Sequence, residues 1–107
     1  MDELTIKIAS DFSPKLGGRW KRLGPFSGEE FFEKILFNKF KEAQSSKSQL
    51  VIDLDGTTGY GSSFLDQSFG ELARQIGVEE VSSRIVFHTE FFEWVVRYIN
   101  DEIWQKK

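Results

Sequence analysis

LVIDLDGTTGYGSSF, residues Leu50–Phe64, is the stretch on which the fold turns. Its first six residues form a nearly continuous apolar run closed by alternating acids, Asp53 and Asp55. A run of this kind, bounded by turn residues, reads as a central strand with sheet neighbours on both sides. Gly56, Gly59 and Gly61 then break the extended pattern. A helix is expected from Ser62 or Ser63, where Phe64, Leu65, Phe69, Leu72, Ala73 and Ile76 recur at helical spacing and Gly77 offers a C-terminal stop. Strand, glycine loop and helix in this order make the chain an α/β protein.

Working outward, Leu4, Ile6 and Ile8 alternate with Thr5 and Lys7, the period of a strand with one buried face. Paired Gly17 and Gly18 permit a tight turn, and a short second strand over Arg19–Leu23 would complete an N-terminal hairpin. FSGEEFFEKILFNKFKEA is a helix. Ser27 and Glu30 have capping-box spacing, and Phe32, Leu36 and Phe40 form one ridge with Phe31 and Ile35 beside it. RIVFH is a third apolar strand, followed by a last helix, EFFEWVVRYINDEIW, with Thr89 as its cap and a stripe of Phe92, Val95, Val96, Ile99 and Ile103. The resulting expectation is one domain over residues 1–107, an about four-stranded mixed sheet covered by three helices.

Composition narrows the function. The 107 residues include eleven Phe, three Trp and no Cys, which supplies a large aromatic core and rules out thiolate metal sites and disulfides. Cysteine-free composition suits the cytoplasm, and no apolar run approaches the roughly 20 residues of a bilayer span. MDELTIKIAS lacks the basic start of a secretory signal. The net charge of −3 argues against nucleic acid as a partner, and the small cluster Arg19, Lys21 and Arg22 reads as a solvated loop face. Exposed aromatics such as Trp94, Tyr98 and Trp104 would allow an adaptor role through homodimerisation.

Asp53-Leu54-Asp55-Gly56-Thr57 also has the D-x-D-G-T form with which haloacid-dehalogenase phosphatases present a nucleophilic aspartate and a magnesium-binding acid. That alternative, a small magnesium-dependent phosphatase using Asp53 and Asp55, lacks its companions. No lysine occurs between Lys47 and Lys106, Glu79 and Glu80 fall between elements, and Asp101 and Glu102 lie inside the last helix. GYGSS is not the G-x-S-x-G of serine hydrolases, and His88 is the only histidine. No metal site is expected.

SGEEFF, then VIDLDGTTGYGSSFLDQSFGEL, then VVRYINDEI resemble the bacterial STAS-like family of unknown function, which is similar to the STAS domains of anti-sigma factor antagonists. GYGSSFLDQSFG is the most specific part. The resemblance implies a regulatory binding module without catalysis or cofactor, whose partner is a regulatory ATPase or serine kinase of the histidine-kinase-like class. In those antagonists a loop of Asp-Ser-Ser/Thr-Gly type carries the phosphorylated serine. Laid on this chain, it sets Gly61 at the aspartate, Ser62 at the phospho-acceptor, Ser63 beside it and Phe64 at the glycine, so two of four positions depart from the pattern. Asp55, Thr58, Tyr60, Gly61, Phe64 and Asp66 become the expected partner-binding residues. Ser62 and Ser63 also read as helix caps, Ser63 with Asp66 in a capping box; a cap and a regulatory site are compatible.

Overall fold

The computed structural model describes residues 4–105. Its sheet has three strands, β1 (Leu4–Lys7), β2 (Leu50–Asp53) and β3 (Ile85–His88), in the order β1-β2-β3 and all parallel. The apolar run at 50–53 is the central strand, as its composition demands. In register, Leu4 pairs with Leu50 and Leu50 with Ile85, and Ile6 with Ile52 and Ile52 with Phe87. This face packs into the core, with Ile6, Leu50, Ile52 and Ile85 buried and Leu4 and Phe87 partly buried. The opposite face carries Thr5, Val51 and Val86, then Lys7, Asp53 and His88, with Thr5, Lys7 and His88 exposed.

The expected four-stranded mixed sheet is corrected to three parallel strands among the described residues, because no hairpin strand forms at Arg19–Leu23. Lys21–Leu23 instead makes one tight helical turn. The reason lies in where the backbone polar groups go. The carbonyls of Gly18 and Arg19 accept the N–H groups of Gly28 and Glu29, at 2.8 and 3.0 Å, and the Glu29 carboxylate accepts Lys21 N–H. The loop thus satisfies the free first-turn donors of the next helix rather than a strand ladder.

Besides the turn at Lys21–Leu23 and one π-type turn over Ile8–Phe12 that follows β1, the longer helices number four among the described residues, not three. α1 spans 28–46, widening to π-type winding over Phe32–Leu36. Ser27 caps it by accepting Glu30 N–H, while the Glu30 carboxylate reaches back to Phe26 N–H. The helix ends at Lys47, which takes the left-handed conformation. α2 spans 62–76, π-type over Asp66–Gly70, and Gly77 stops it at φ 116°. α3 (Val78–Arg84) was expected to be a connection; Glu79 and Glu80 therefore stand in a helix, and Glu80 pairs with Arg84 at 2.9 Å. α4 spans 93–104, starting later than expected because Thr89 accepts Phe92 N–H and holds residues 89–92 as a turn.

The core joins the covered sheet face to the helices. Phe31, Phe32, Leu36 and Phe40 of α1 and Phe64, Leu65, Phe69 and Leu72 of α2 are all buried in it. Trp104 is buried as well, donating its indole N–H to Phe69 O at 3.2 Å, which corrects the expectation that it stands free for dimerisation. Tyr98 is half-buried, and Trp94 remains exposed. No described helix is long and apolar enough to cross a membrane.

Candidate functional site

β2 delivers Asp53 and Asp55 to the C-terminal edge of the sheet, the usual place for ligands in open α/β sheets. Both carboxylates are engaged in shaping loops. Asp53 Oδ1 accepts Asp55 N–H at 3.0 Å, closing a local turn. Asp55 accepts Thr89 Oγ1 at 2.6 Å and the N–H groups of Glu90 and Phe91 at 2.7 and 3.2 Å. One side chain therefore clasps the exit of β2 to the exit of β3. The Thr89 hydroxyl, then the two backbone donors, hold the Asp55 carboxyl below the usual carboxylate range. Hydrogen bonding to loops is thus the visible work of the D-x-D-G-T acids. Among the described residues no three His, Cys, Asp or Glu side chains converge to hold a metal ion. The clasp also carries Phe91 into solvent, 73% exposed, one of the few large apolar side chains at the surface.

From Gly56, which bends at φ 100°, the loop runs across the sheet edge, and Thr58 N–H bonds to Pro14 O at 2.9 Å. Tyr60 turns inward. Its hydroxyl donates to Leu54 O at 2.7 Å, and its ring meets Phe92 edge-on at 5.1 Å. Burial pushes the phenol far above its ordinary range.

Gly61 is the residue before α2, and its carbonyl accepts Leu65 N–H at 3.1 Å. Ser62 is consequently the first helical residue, and neither serine caps the helix. The capping readings of Ser62 and Ser63 are corrected on that ground: glycine takes the cap position, and Asp66 is engaged elsewhere. Ser62 is exposed and Ser63 half-exposed. Phe64 follows and is fully buried, stacked on Phe31 at 5.7 Å between centroids. Gly28 permits this contact, since a Cβ there would come within 2.5 Å of Phe64 O. The expected partner-binding set therefore divides. Thr58 and Gly61 are exposed and Asp66 half-exposed, whereas Phe64 and Tyr60 are core residues and Asp55 is committed to its clasp.

Two residues join the site that the sequence did not single out for it. Arg19 Nη1 lies 2.7 Å from Asp66 Oδ2, and Arg74 Nη1 lies 3.7 Å from Asp66 Oδ1. With Ser62, Gly70 and Glu102 they line a groove of about 510 Å³ between α2 and α4. Arg19 belongs to the basic cluster that by sequence reads as a solvated loop face. Arg74 could have been picked up from its place two helical turns beyond Asp66 on the ridge that starts at Ser62.

The comparisons with known proteins agree with this architecture at the level of family. The model of the STAS-like domain of unknown function (DUF4325) matches residues 27–89, from the cap of α1 to the threonine of the Asp55 clasp. The chain belongs to that family. No curated protein and no solved structure matches it.

Proposed function

We propose that this protein is a non-catalytic regulatory module that binds another protein through the β2–α2 loop and the first turn of α2, and that modification of Ser62 switches the contact. The observation that carries the reading is the contrast at the start of α2. Ser62 presents an exposed hydroxyl between exposed Gly61 and half-exposed Ser63, while Phe64 and Leu65, its neighbours on the same turn, are fixed in the core. A rigid turn that offers a serine to solvent suits recognition by a kinase and a change of surface charge without a change of fold. A phosphoryl group adds about −1.5 to −2 charges and strong acceptors at that spot. Family membership supports a binding role, and the resemblance to anti-sigma factor antagonists supports a regulatory ATPase or serine kinase as partner.

The test combines capture and mass spectrometry. Tagged parent protein expressed in its own host should retain an ATPase of that class, and its Gly59–Arg74 peptide should carry phosphate on Ser62. Ser62→Asp should lose the partner and Ser62→Ala keep it, with all three proteins melting within a few degrees of one another. Equal retention by all three overturns the switch.

A further inference from the structure

Ser62, Asp66, Gly70 and Arg74 follow one another at intervals of four along α2 and line the same groove, with Arg19 entering from the 17–24 loop. Arg74 reaches back eight residues, so that its Nη2 donates to Asp66 O at 3.3 Å. It lies across Gly70, where a Cβ would stand 3.0 Å from Asp66 Oδ1 and 3.3 Å from Arg74 Nη1. The absent side chain keeps a path open along the ridge. Asp66 is thus a single carboxylate shared by two guanidinium groups from different segments, placed one helical turn from the Ser62 hydroxyl. Both arginines are partly exposed, with 32% and 51% of their side chains accessible. Ion pairs of this exposure are weak and exchange partners readily.

We propose that Arg19 and Arg74 are the receiving site for a phosphoryl group on Ser62, with Asp66 as the carboxylate that holds them until the group arrives. The inference rests on the reading of Ser62 as a modified residue and supplies the intramolecular half of that switch. Two features drive the exchange. Guanidinium forks match phosphate oxygens in a bidentate way, and a dianion attracts them more strongly than a carboxylate does. A dianion at 62 also repels Asp66, its neighbour at i+4. The other acids nearby set the balance. Glu71 holds Arg74 Nε at 3.0 Å, and Glu102 lines the opposite wall from α4. Without the transfer of the two arginines the groove would repel a phosphate; with it, Asp66 is released to solvent. Gly28 and Glu29 still hold the backbone of the 17–24 loop, so the change is one of surface charge pattern and side-chain position.

The experiment uses the whole chain with phosphoserine genetically encoded at 62 and follows the second ionisation of its phosphate by phosphorus NMR. The ordinary value is about 6. In the folded chain it should fall by about half a unit or more below that of the same chain unfolded in urea, as nearby cations favour the dianion. Arg19→Gln and Arg74→Gln should each reverse part of the shift, and the double variant most of it, leaving the share owed to the first-turn amides of α2. Asp66→Asn should deepen it, and salt near 1 M should suppress it in the parent. An ionisation that the arginine substitutions leave unchanged, whether or not it is shifted from that of the urea-unfolded chain, overturns the proposal. The readout needs no partner. An arginine-dependent shift with undiminished partner capture would therefore sink the switch and leave this site standing, and the converse result would do the opposite.

Discussion

Phe64 offers the sharpest test of how this site is built, because its place in the serine loop pattern suggests a surface residue while the structure buries it completely. Its ring stacks on Phe31 at 5.7 Å, meets Tyr60 at 6.3 Å and Phe12 at 6.5 Å, and its backbone supports the close approach of Gly28. Phe64→Ala would leave a cavity between α1 and α2, walled by those rings. Truncating a buried phenylalanine costs about 3–5 kcal/mol, a large part of the 5–15 kcal/mol by which small domains are stable. With an unfolding entropy near 2.1 cal/mol/K per residue, about 0.22 kcal/mol/K for a chain of this length, the melting temperature should fall by roughly 13–22 °C. Ser62→Asp, two residues earlier and exposed, should stay within about 0.5 kcal/mol of the parent, or roughly 2 °C. Differential scanning calorimetry of the three proteins at neutral pH measures both effects. A Phe64→Ala melting temperature within about 4 °C of the parent would refute the packing described for α1 and α2.

Two further perturbations probe the supports of the site. Gly28→Ala should destabilise by about 1–3 kcal/mol in urea unfolding, although alanine favours a helix by up to about 1 kcal/mol over glycine, because the added Cβ meets the Phe64 carbonyl at 2.5 Å; a gain in stability would show that the helices separate at little cost. Asp55 tests the clasp by pH. Its folded carboxyl lies below its ordinary value, with the Thr89 bond the chief cause. The stabilisation is therefore fully present above the unfolded value near 3.9 and lost as pH falls through the lower folded one. The urea midpoint of the parent should drop more steeply below about pH 4 than that of Asp55→Asn, whose Glu90 and Phe91 amides should also exchange faster at neutral pH; parallel midpoint curves would remove the clasp from the account.

Much of this protein could be read along the chain, since several of its signals are local. The alternation at Leu4–Ile8, the apolar run at Leu50–Asp53 and the i, i+4 ridge Phe32–Leu36–Phe40 each state a period that one type of element can bury. Ser27 and Gly77 mark helix ends through conformational rules that hold in any fold. Family membership was legible too, in the GYGSSFLDQSFG segment. The strand expected at Arg19–Leu23 failed because local propensity does not say which distant group will take a backbone hydrogen bond. Here the first turn of α1 takes them.

The site shows the same division at finer scale. An exposed serine after a glycine loop is a property of the β2–α2 sequence, and that sequence alone determined it. Whether the next aromatic faces a partner or the core is decided by what packs against it, and Gly28, thirty-six residues earlier, brings α1 close enough to bury Phe64. Whether two acids on a strand exit stand free or tie loops together depends on the neighbouring strand; the parallel register places Thr89, Glu90 and Phe91 within reach of Asp55. The pairing of Arg19 with Asp66 spans 47 residues. Period and capping act over a few residues and so can be read in order, whereas burial, clasp and ion pair join segments that only the folded sheet and its helices bring together.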